Sequence, residues 1–447
     1  MLSDTLLVLR KIITIDVQQC ASLVLAEVVC VAASESANAS TRRHLDKSYE
    51  GAYGSNYFEL QVLRPNIRNM SVAGPCLVLV GGGHSHALVV AGLARAPLTA
   101  ASITLVSREP LTPYSGMLPG VVAGLYERRS AHIDLASLCQ RAGIVFKHAT
   151  VVACDAQARR LLFADGGSLD YDVLSVDIGS TPDISADGAI ARVVAVKPIA
   201  DFLQRFDALV ARIETVTAPL TIGVVGAGAG GTEMILAIRE GLRRHLIHRP
   251  AKFSMLRFQL FVSGTKLLPG HNFRVREQFV CVCREQGIEV LLNAHINCVA
   301  ESYIQTTGGA RFDVDEVLWV TRARTQEWMQ KAGFATDEKG FMLLQATLES
   351  TSHSGVFAAG DCANVVAHPR PKAGVFAVRQ GPPLLSNLRR QLDGEPLREF
   401  IPQRQYLSLI STGPREAVVS HSYLPAIRGH NIWRWKNWLD RRFMQQF

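Results

Sequence analysis

The 447-residue chain has no uncharged apolar run of the ~18 residues that a membrane-spanning helix needs. The nearest approach, residues 15–33, is broken by Asp16 and Glu27. There is no C-x-x-C. The nine cysteines (Cys20, Cys30, Cys76, Cys139, Cys154, Cys281, Cys283, Cys298 and Cys362) are scattered and odd in number. That pattern speaks against a disulfide framework and suits a reducing compartment. Cys281 and Cys283 form C-x-C, which on a helix sends the thiols to different faces, so both are read as structural. No metal site is expected, because His84 and His86 have neither helical spacing nor a fuller ligand set around them.

Carboxylates are also in short supply. The net charge is +8, yet the first 69 residues hold seven Lys/Arg against seven Asp/Glu. From Arg389 onward ten Lys/Arg face five Asp/Glu. A basic tail suits an anionic surface, or is simply a solvated helix face. Nothing else in the chain points to nucleic acid, and none is expected as a partner.

Residues 1–73 lack clean periodicity and resemble neither a signal peptide nor a good transit peptide. They are read as an N-terminal extension, either for targeting or lying ahead of a functional start at Met70. From Pro75 the pattern changes. Cys76-Leu-Val-Leu-Val80 is an apolar run of strand length, as a buried parallel strand requires. Gly81-Gly-Gly83, a helix to about Arg95 and a strand at Ser102-Ile-Thr-Leu-Val106 complete a βαβ unit. The same grammar returns with Leu220–Val225, Gly226-Ala-Gly-Ala-Gly-Gly231, a helix to about His245 and Phe258-Gln-Leu-Phe-Val262. The expected fold is therefore α/β, with two Rossmann-like, three-layer dinucleotide-binding domains and a small C-terminal region.

A pyrophosphate needs backbone N–H donors at close range and the positive end of a helix dipole. Glycines permit that approach. The second turn has all three, Gly226, Gly228 and Gly231. The first has Gly81 and Gly83, but His86 stands in the third place. His84 would offer a backbone donor there with Ser85 beside it at the cofactor, while His86 would pack or reach toward the ligand.

Two further segments sharpen the picture. Leu169-Asp-Tyr-Asp-Val-Leu-Ser-Val-Asp-Ile-Gly-Ser-Thr-Pro182 and Gly355-Val-Phe-Ala-Ala-Gly-Asp361 resemble the FAD motifs of the pyridine nucleotide-disulfide oxidoreductase superfamily. With the two glycine turns they stand in that superfamily's order, over about residues 75–447. Gly81-Gly-Gly-His-Ser-His86, Thr112-Pro-Tyr-Ser-Gly-Met-Leu-Pro-Gly120, His132-Ile-Asp-Leu135, Pro369-Arg-Pro-Lys-Ala-Gly374, Arg379-Gln-Gly-Pro-Pro383 and Trp435-Lys-Asn-Trp-Leu-Asp-Arg-Arg-Phe-Met444 resemble the branch often fused to selenide, water dikinase. More distantly the chain is similar to type II NADH dehydrogenases and sulfide:quinone oxidoreductases.

The resemblance implies FAD and NAD(P)H as cofactors, with hydride passing to the flavin and then to a small acceptor such as a quinone. It implies an FAD domain split over 74–195 and 326–388, an NAD(P) domain over 196–325, and a basic amphipathic helix within 389–447. Gly179, Gly360 and Asp361 would hold the flavin, with Pro119 from the Thr112-to-Gly120 motif. Ser107, Arg108 and Glu109 end the second strand, where an acid meets the ribose. In the other domain Ser263-Gly264-Thr265-Lys266 has no acid, which leans toward NADPH or loose choice. Glu233 would lie by nicotinamide and flavin. A helix starting near Pro371-Lys372 would face the flavin with Lys372 adding charge, and Pro382-Pro383 should interrupt it. Gln380 and residues 114–119 would line an acceptor pocket.

There are departures. The 112–120 motif holds no redox cysteine pair, and Arg322 stands where a glycine is usual. On a C-terminal helix Ile432, Trp435, Leu439 and Phe443 form one stripe with Trp438 alongside. This segment is read as lying in a membrane interface, or as packed on the domain or on a second copy of the chain. Competing readings are oxidation of sulfide or a selenium compound through cysteines such as Cys362, and a non-enzymatic flavoprotein of a selenium pathway.

Overall fold

The computed structural model describes residues 74–447, apart from 185, 322 and 422–424. The N-terminal extension, the start at Met70 and the departure at Arg322 lie outside the described residues.

Continuous apolar runs become the centres of two parallel sheets, because helices cover such strands on both faces. In the first, β1 (Cys76–Val80) is central. It pairs with β2 (Ser102–Ser107) and β4 (Val173–Val176); β3 (Val145–His148) lies outside β2. The chain leaves this sheet to build the second. There β6 (Leu220–Val225) is central, flanked by β7 (Leu256–Phe261) with β8 (Ile288–Leu291), and by β9 (Glu316–Trp319) with β5 (Val194–Ala195). The second sheet thus takes in Val194, slightly ahead of the boundary expected at 196. The chain then returns: β10 (Val356–Ala358) pairs in parallel with β4 and completes the first sheet. A three-stranded antiparallel layer follows β3, and another follows β8. Leu161 and Phe163 of one, and Ile296 and Ile304 of the other, are buried in the cores beneath.

Helix α1 (His84–Arg95) follows β1, and α2 (Ala229–His245) follows β6. Helix α3 (Phe273–Glu285) carries Cys281 outward and Cys283 inward, as C-x-C on a helix must.

Two expectations for the next helix fail. Helix α4 spans Gly374–Leu392, so Pro371-Lys372 precede it, and it runs through Pro382-Pro383. The prolines remove the N–H donors for the carbonyls of Val378 and Arg379. Packing holds the helix together. It lies on α1 so closely that a Cβ on Gly381 would stand 2.7 Å from that of Leu88. Leu384 and Leu388 are fully buried below.

The C-terminal region adds the hairpin β11 (Ser408–Ser411) and β12 (Ala417–Ser420), then α5 (His430–Met444). The expected stripe on α5 is split. Phe443 is buried in the core, whereas Trp438 and Leu439 face outward. The inner face is Trp433, Lys436, Asp440 and Phe443, because a lysine–aspartate pair four apart closes on itself and can go inside. Among the described residues no helix is long and apolar enough to cross a membrane.

Candidate active site

The two glycine turns differ at their third position. Gly226 has φ +116°, and a Cβ on Gly231 would stand 1.8 Å from the Gly226 carbonyl, so only glycine fits there. In the first turn the imidazole of His86 takes over the carbonyl. His86 Nδ1 lies 2.8 Å from Gly81 O, and Nε2 lies 2.8 Å from Ser175 Oγ. A carbonyl only accepts, so Nδ1 carries the proton and the serine donates to Nε2. The side chain is fully buried, and burial pushes its pKa down to about 4. His86 therefore packs and does not reach for a ligand.

Asp177, just beyond β4, meets the N-terminus of α1. Its Oδ2 accepts the N–H groups of Ser85 (2.9 Å) and His86 (3.1 Å). Burial, aided by the nearby Asp361 charge, pushes this carboxyl up to about 7 against those two hydrogen bonds. A Cβ on Gly83 would collide with it at 2.2 Å. The hydroxyl of Ser85 donates to Ala377 O (2.7 Å), tying α1 to α4.

Asp361 follows β10. Lys197 Nζ lies 2.8 Å from its Oδ2, and the Ser180 hydroxyl donates to the same oxygen at 3.4 Å. Burial opposes the charge of Asp361, but Lys197 and Lys372 outweigh it and hold the carboxyl below its usual range. Gln380 Oε1 accepts the Gly360 N–H (2.7 Å) and so fixes this turn from α4. Lys372 Nζ donates to Ala363 O and stands 4.2 Å over the Phe341 ring. Asp361, Lys372 and Gln380 line a cleft together with Arg370 and Phe376.

Of the other expected residues, Gly179 has φ +68° in the turn after β4. Ser107 is buried at the end of β2; its hydroxyl donates to Glu109 O (2.9 Å) and pins that residue, while Arg108 and Glu109 stay exposed. Pro119 is buried in a short helix, Leu118–Val122, whose Leu118 and Val121, with Met117 just before it, join the core of the second domain. Ser115 approaches the start of the helix that carries Gln380, its Oγ lying 3.5 Å from where a Cβ on Gly374 would stand. Gln380 lines the cleft at Asp361, and Tyr114 and Gly116 pack against α5.

That second meeting point was not foreseen. Glu233 Oε1 accepts the Ser411 N–H (2.6 Å) from β11. Lys436 Nζ donates to Gly116 O (2.8 Å) and pairs with Asp440 Oδ2 (2.9 Å). Burial opposes the ammonium charge, but Asp440 and Glu233 outweigh it and raise its pKa. Glu233 is itself raised, by burial, with Lys436 opposing. The Tyr114 ring sits 4.5 Å from Phe443 and 5.3 Å from the half-buried His84 ring, and burial raises its phenol. Residues from the first glycine turn, the second helix and the C-terminal helix thus converge. Lys197, Asp177, Lys436 and Asp440 were all missed. Asp177 left a signal, as the acid ending a strand whose other residues are apolar except Ser175. Lys436 and Asp440 left another, as an i,i+4 pair inside an aromatic-rich stretch.

A family model for pyridine nucleotide-disulphide oxidoreductases matches residues 76–381. The chain belongs to that family. It is 22% identical over 333 residues to an NADH dehydrogenase-like protein of Bacillus subtilis, covering 73% of this chain and 86% of that one. It is 21% identical over 340 residues to a type II NADH:quinone oxidoreductase of Staphylococcus aureus, covering 72% and 84%. A solved structure of NDH2 from Plasmodium falciparum superimposes with a TM-score of 0.71 at 13% identity, over 83% of this chain and 96% of that one. This family member is an FAD-dependent oxidoreductase of nicotinamide nucleotides. Its first site fits FAD: the Gly81–Gly83 cradle has no room for a Cβ, it opens a helix N-terminus, and the Asp361 carboxylate lines the adjoining cleft.

Thiol chemistry finds little support. Cys362 is fully buried, its S–H donates to Val176 O and Ala359 O, and burial pushes the thiol up to about 12. A protonated, enclosed thiol is a poor nucleophile.

Proposed function

We propose that the acceptor is a quinone, reduced with NAD(P)H at a membrane surface. One observation carries this reading: the Glu233, Lys436, Asp440 and Tyr114 cluster between the two glycine turns. A quinone takes up protons with its electrons, and the cluster holds protons in a dry place beside the convergence of both sites. FAD, when bound, supplies the hydride acceptor between nucleotide and quinone. Gly82 and His84, at the end of α1 whose Ser85 and His86 N–H groups Asp177 already holds, would meet its pyrophosphate, Glu109 its ribose, and Asp361, set by Lys197 and Gln380, its ribityl hydroxyls. Gly226, Gly228 and Gly231 would admit the nicotinamide nucleotide. Glu233 would orient the nicotinamide, held by Ser411 and Lys436. The relative named as an NADH:quinone oxidoreductase supports the choice of acceptor.

The test is an anaerobic titration of the flavin-loaded protein with NADH or NADPH, followed by a short-chain quinone. The flavin absorbance should bleach and then return. In Glu233→Gln the bleaching rate should fall by about 100-fold, within the usual range for a lost acid–base or orienting group, while folding is retained. Bleaching at the wild-type rate would remove Glu233 from the mechanism. Absorbance that bleaches but is not restored by quinone would remove the quinone.

The outward face of α5 supports the membrane part. Trp438 and Leu439 are exposed beside Arg434, Arg441 and Arg442, an apolar strip with a basic border. In a flotation assay the protein should rise with anionic vesicles, and Trp438→Glu with Leu439→Glu should leave it at the bottom. Wild-type protein that stays down would end the membrane reading.

A further inference from the structure

We infer that the nicotinamide site selects the 2′-phosphorylated nucleotide, NADPH, and that Lys266 is the residue that selects it. The inference rests on the NAD(P)H-oxidising activity and deepens it.

In a dinucleotide fold the end of the second strand meets the adenosine ribose. A carboxylate there binds the free hydroxyls of NADH and repels a 2′-phosphate, and a cation does the reverse. The structure fixes that place. Gly226 N–H donates to Phe261 O (3.0 Å), and Leu268 N–H donates to Ala227 O (3.0 Å), so the segment after β7 lies against the glycine turn. Asn293 N–H donates to Gly264 O (2.9 Å), which joins it to the end of β8. Between these ties Ser263, Gly264, Thr265 and Lys266 are exposed. A Cβ on Gly264 would meet nothing within 4 Å, so a phosphate has room to approach the backbone.

The loop itself carries charge of one sign, the first acids beyond the two flanking stretches being the exposed Glu277 on α3 and Glu301. From Ser263 to Arg276 there is no Asp or Glu, but there are Lys266, Arg274 and Arg276. From Leu292 to Ala300, after β8, there is again no acid, and His295 is exposed. Two carboxylates on neighbouring elements are otherwise engaged. Glu289, on β8 itself, accepts from Gln259 Nε2 (2.8 Å), and Glu233 accepts from Ser411 at the other end of the turn.

The chain supplies its own control. Its other dinucleotide unit ends the equivalent strand β2 with Ser107, Arg108 and Glu109, and the Ser107 hydroxyl pins the acid by its carbonyl. One nucleotide site therefore keeps an acid at the ribose and the other has a lysine instead.

The experiment measures kcat/KM for NADPH and NADH on the flavin-loaded protein, with quinone or ferricyanide as acceptor. Wild type should favour NADPH by about tenfold or more, the value of one good charge contact. Lys266→Ala should lower the NADPH/NADH ratio by about tenfold. Ser263→Glu should push it below unity, and raised salt should shrink it in wild type because the contact is exposed. A wild-type ratio at or below one overturns the inference and leaves NAD(P)H oxidation standing, as does a Lys266→Ala variant with an unmoved ratio. A bound flavin that neither nucleotide bleaches overturns both.

Discussion

Lys436→Met should destabilise the protein by about 3–5 kcal/mol, and Lys436→Met with Asp440→Leu by much less. The ammonium lies on the inner face of α5 between two carboxylates and a carbonyl, and the side chain of Asp440 is 7% exposed. Methionine fills the volume of lysine but leaves the Asp440 carboxylate buried without a cation. Burial already pushes that carboxyl up, with Lys436 opposing, so the variant should take up a proton on folding. Removing both charges leaves two apolar side chains in an apolar seam beside Phe443. Urea midpoints of wild type and the two variants check this. A single variant that costs less than about 1 kcal/mol would place the pair in water, whatever its distances.

The second large effect concerns pH. His86 folds with its pKa lowered from 6.5 to about 4, and Asp177 with its pKa raised from 3.8 to about 7. The neutral imidazole contributes stability that is fully present above pH 6.5 and is lost as pH falls toward 4, about 3 kcal/mol in all. The neutral carboxyl contributes stability that is fully present below pH 3.8 and is lost as pH rises toward 7, about 4 kcal/mol. Between pH 4 and 6.5 folding releases a proton from one and takes up a proton on the other, so their slopes cancel. Asp177→Asn should uncover the histidine slope, losing about 3 kcal/mol from pH 6.5 to 4 relative to wild type. His86→Gln should uncover the opposite slope. Denaturation midpoints at a series of pH values decide it; parallel curves for Asp177→Asn and wild type would sink the compensation. Asp177 also stands where the flavin pyrophosphate should come, and its neutral form spares the ligand a like charge.

The scaffold was largely readable before any coordinates, and the reason is physical. Strands such as Cys76–Val80 and Leu220–Val225 are buried on both faces, so their sequence has no choice but to be apolar, and the glycine turns mark where each feeds a helix. What failed depended on partners distant in sequence. Pro382-Pro383 are locally a break, and only α1, some 290 residues earlier by the Ser85–Ala377 bond, keeps α4 whole. Lys436 looked like part of a wet basic face because its partners, Gly116 and Glu233, belong to other domains. The stripe on α5 was drawn from hydrophobicity alone, and a closed ion pair can be buried where a tryptophan stays out. Gly81, Gly83, Gly360 and Asp361 stand out in the sequence by motif, whereas the Lys197–Asp361 pair and the Gln380 bond to Gly360 arise only from the return of the chain to its first sheet.

The position of α5 also sets an order of events. Its Lys436 bonds to Gly116 and its charge faces Glu233, and both of those residues are synthesised long before it. Domains fold in the order they emerge from the ribosome. Both nucleotide cradles can therefore form while the helix that closes the space between them is still unmade. A polypeptide made as far as α4 has both nucleotide turns yet lacks the clasp at their meeting point, so that point is closed only once α5 has emerged.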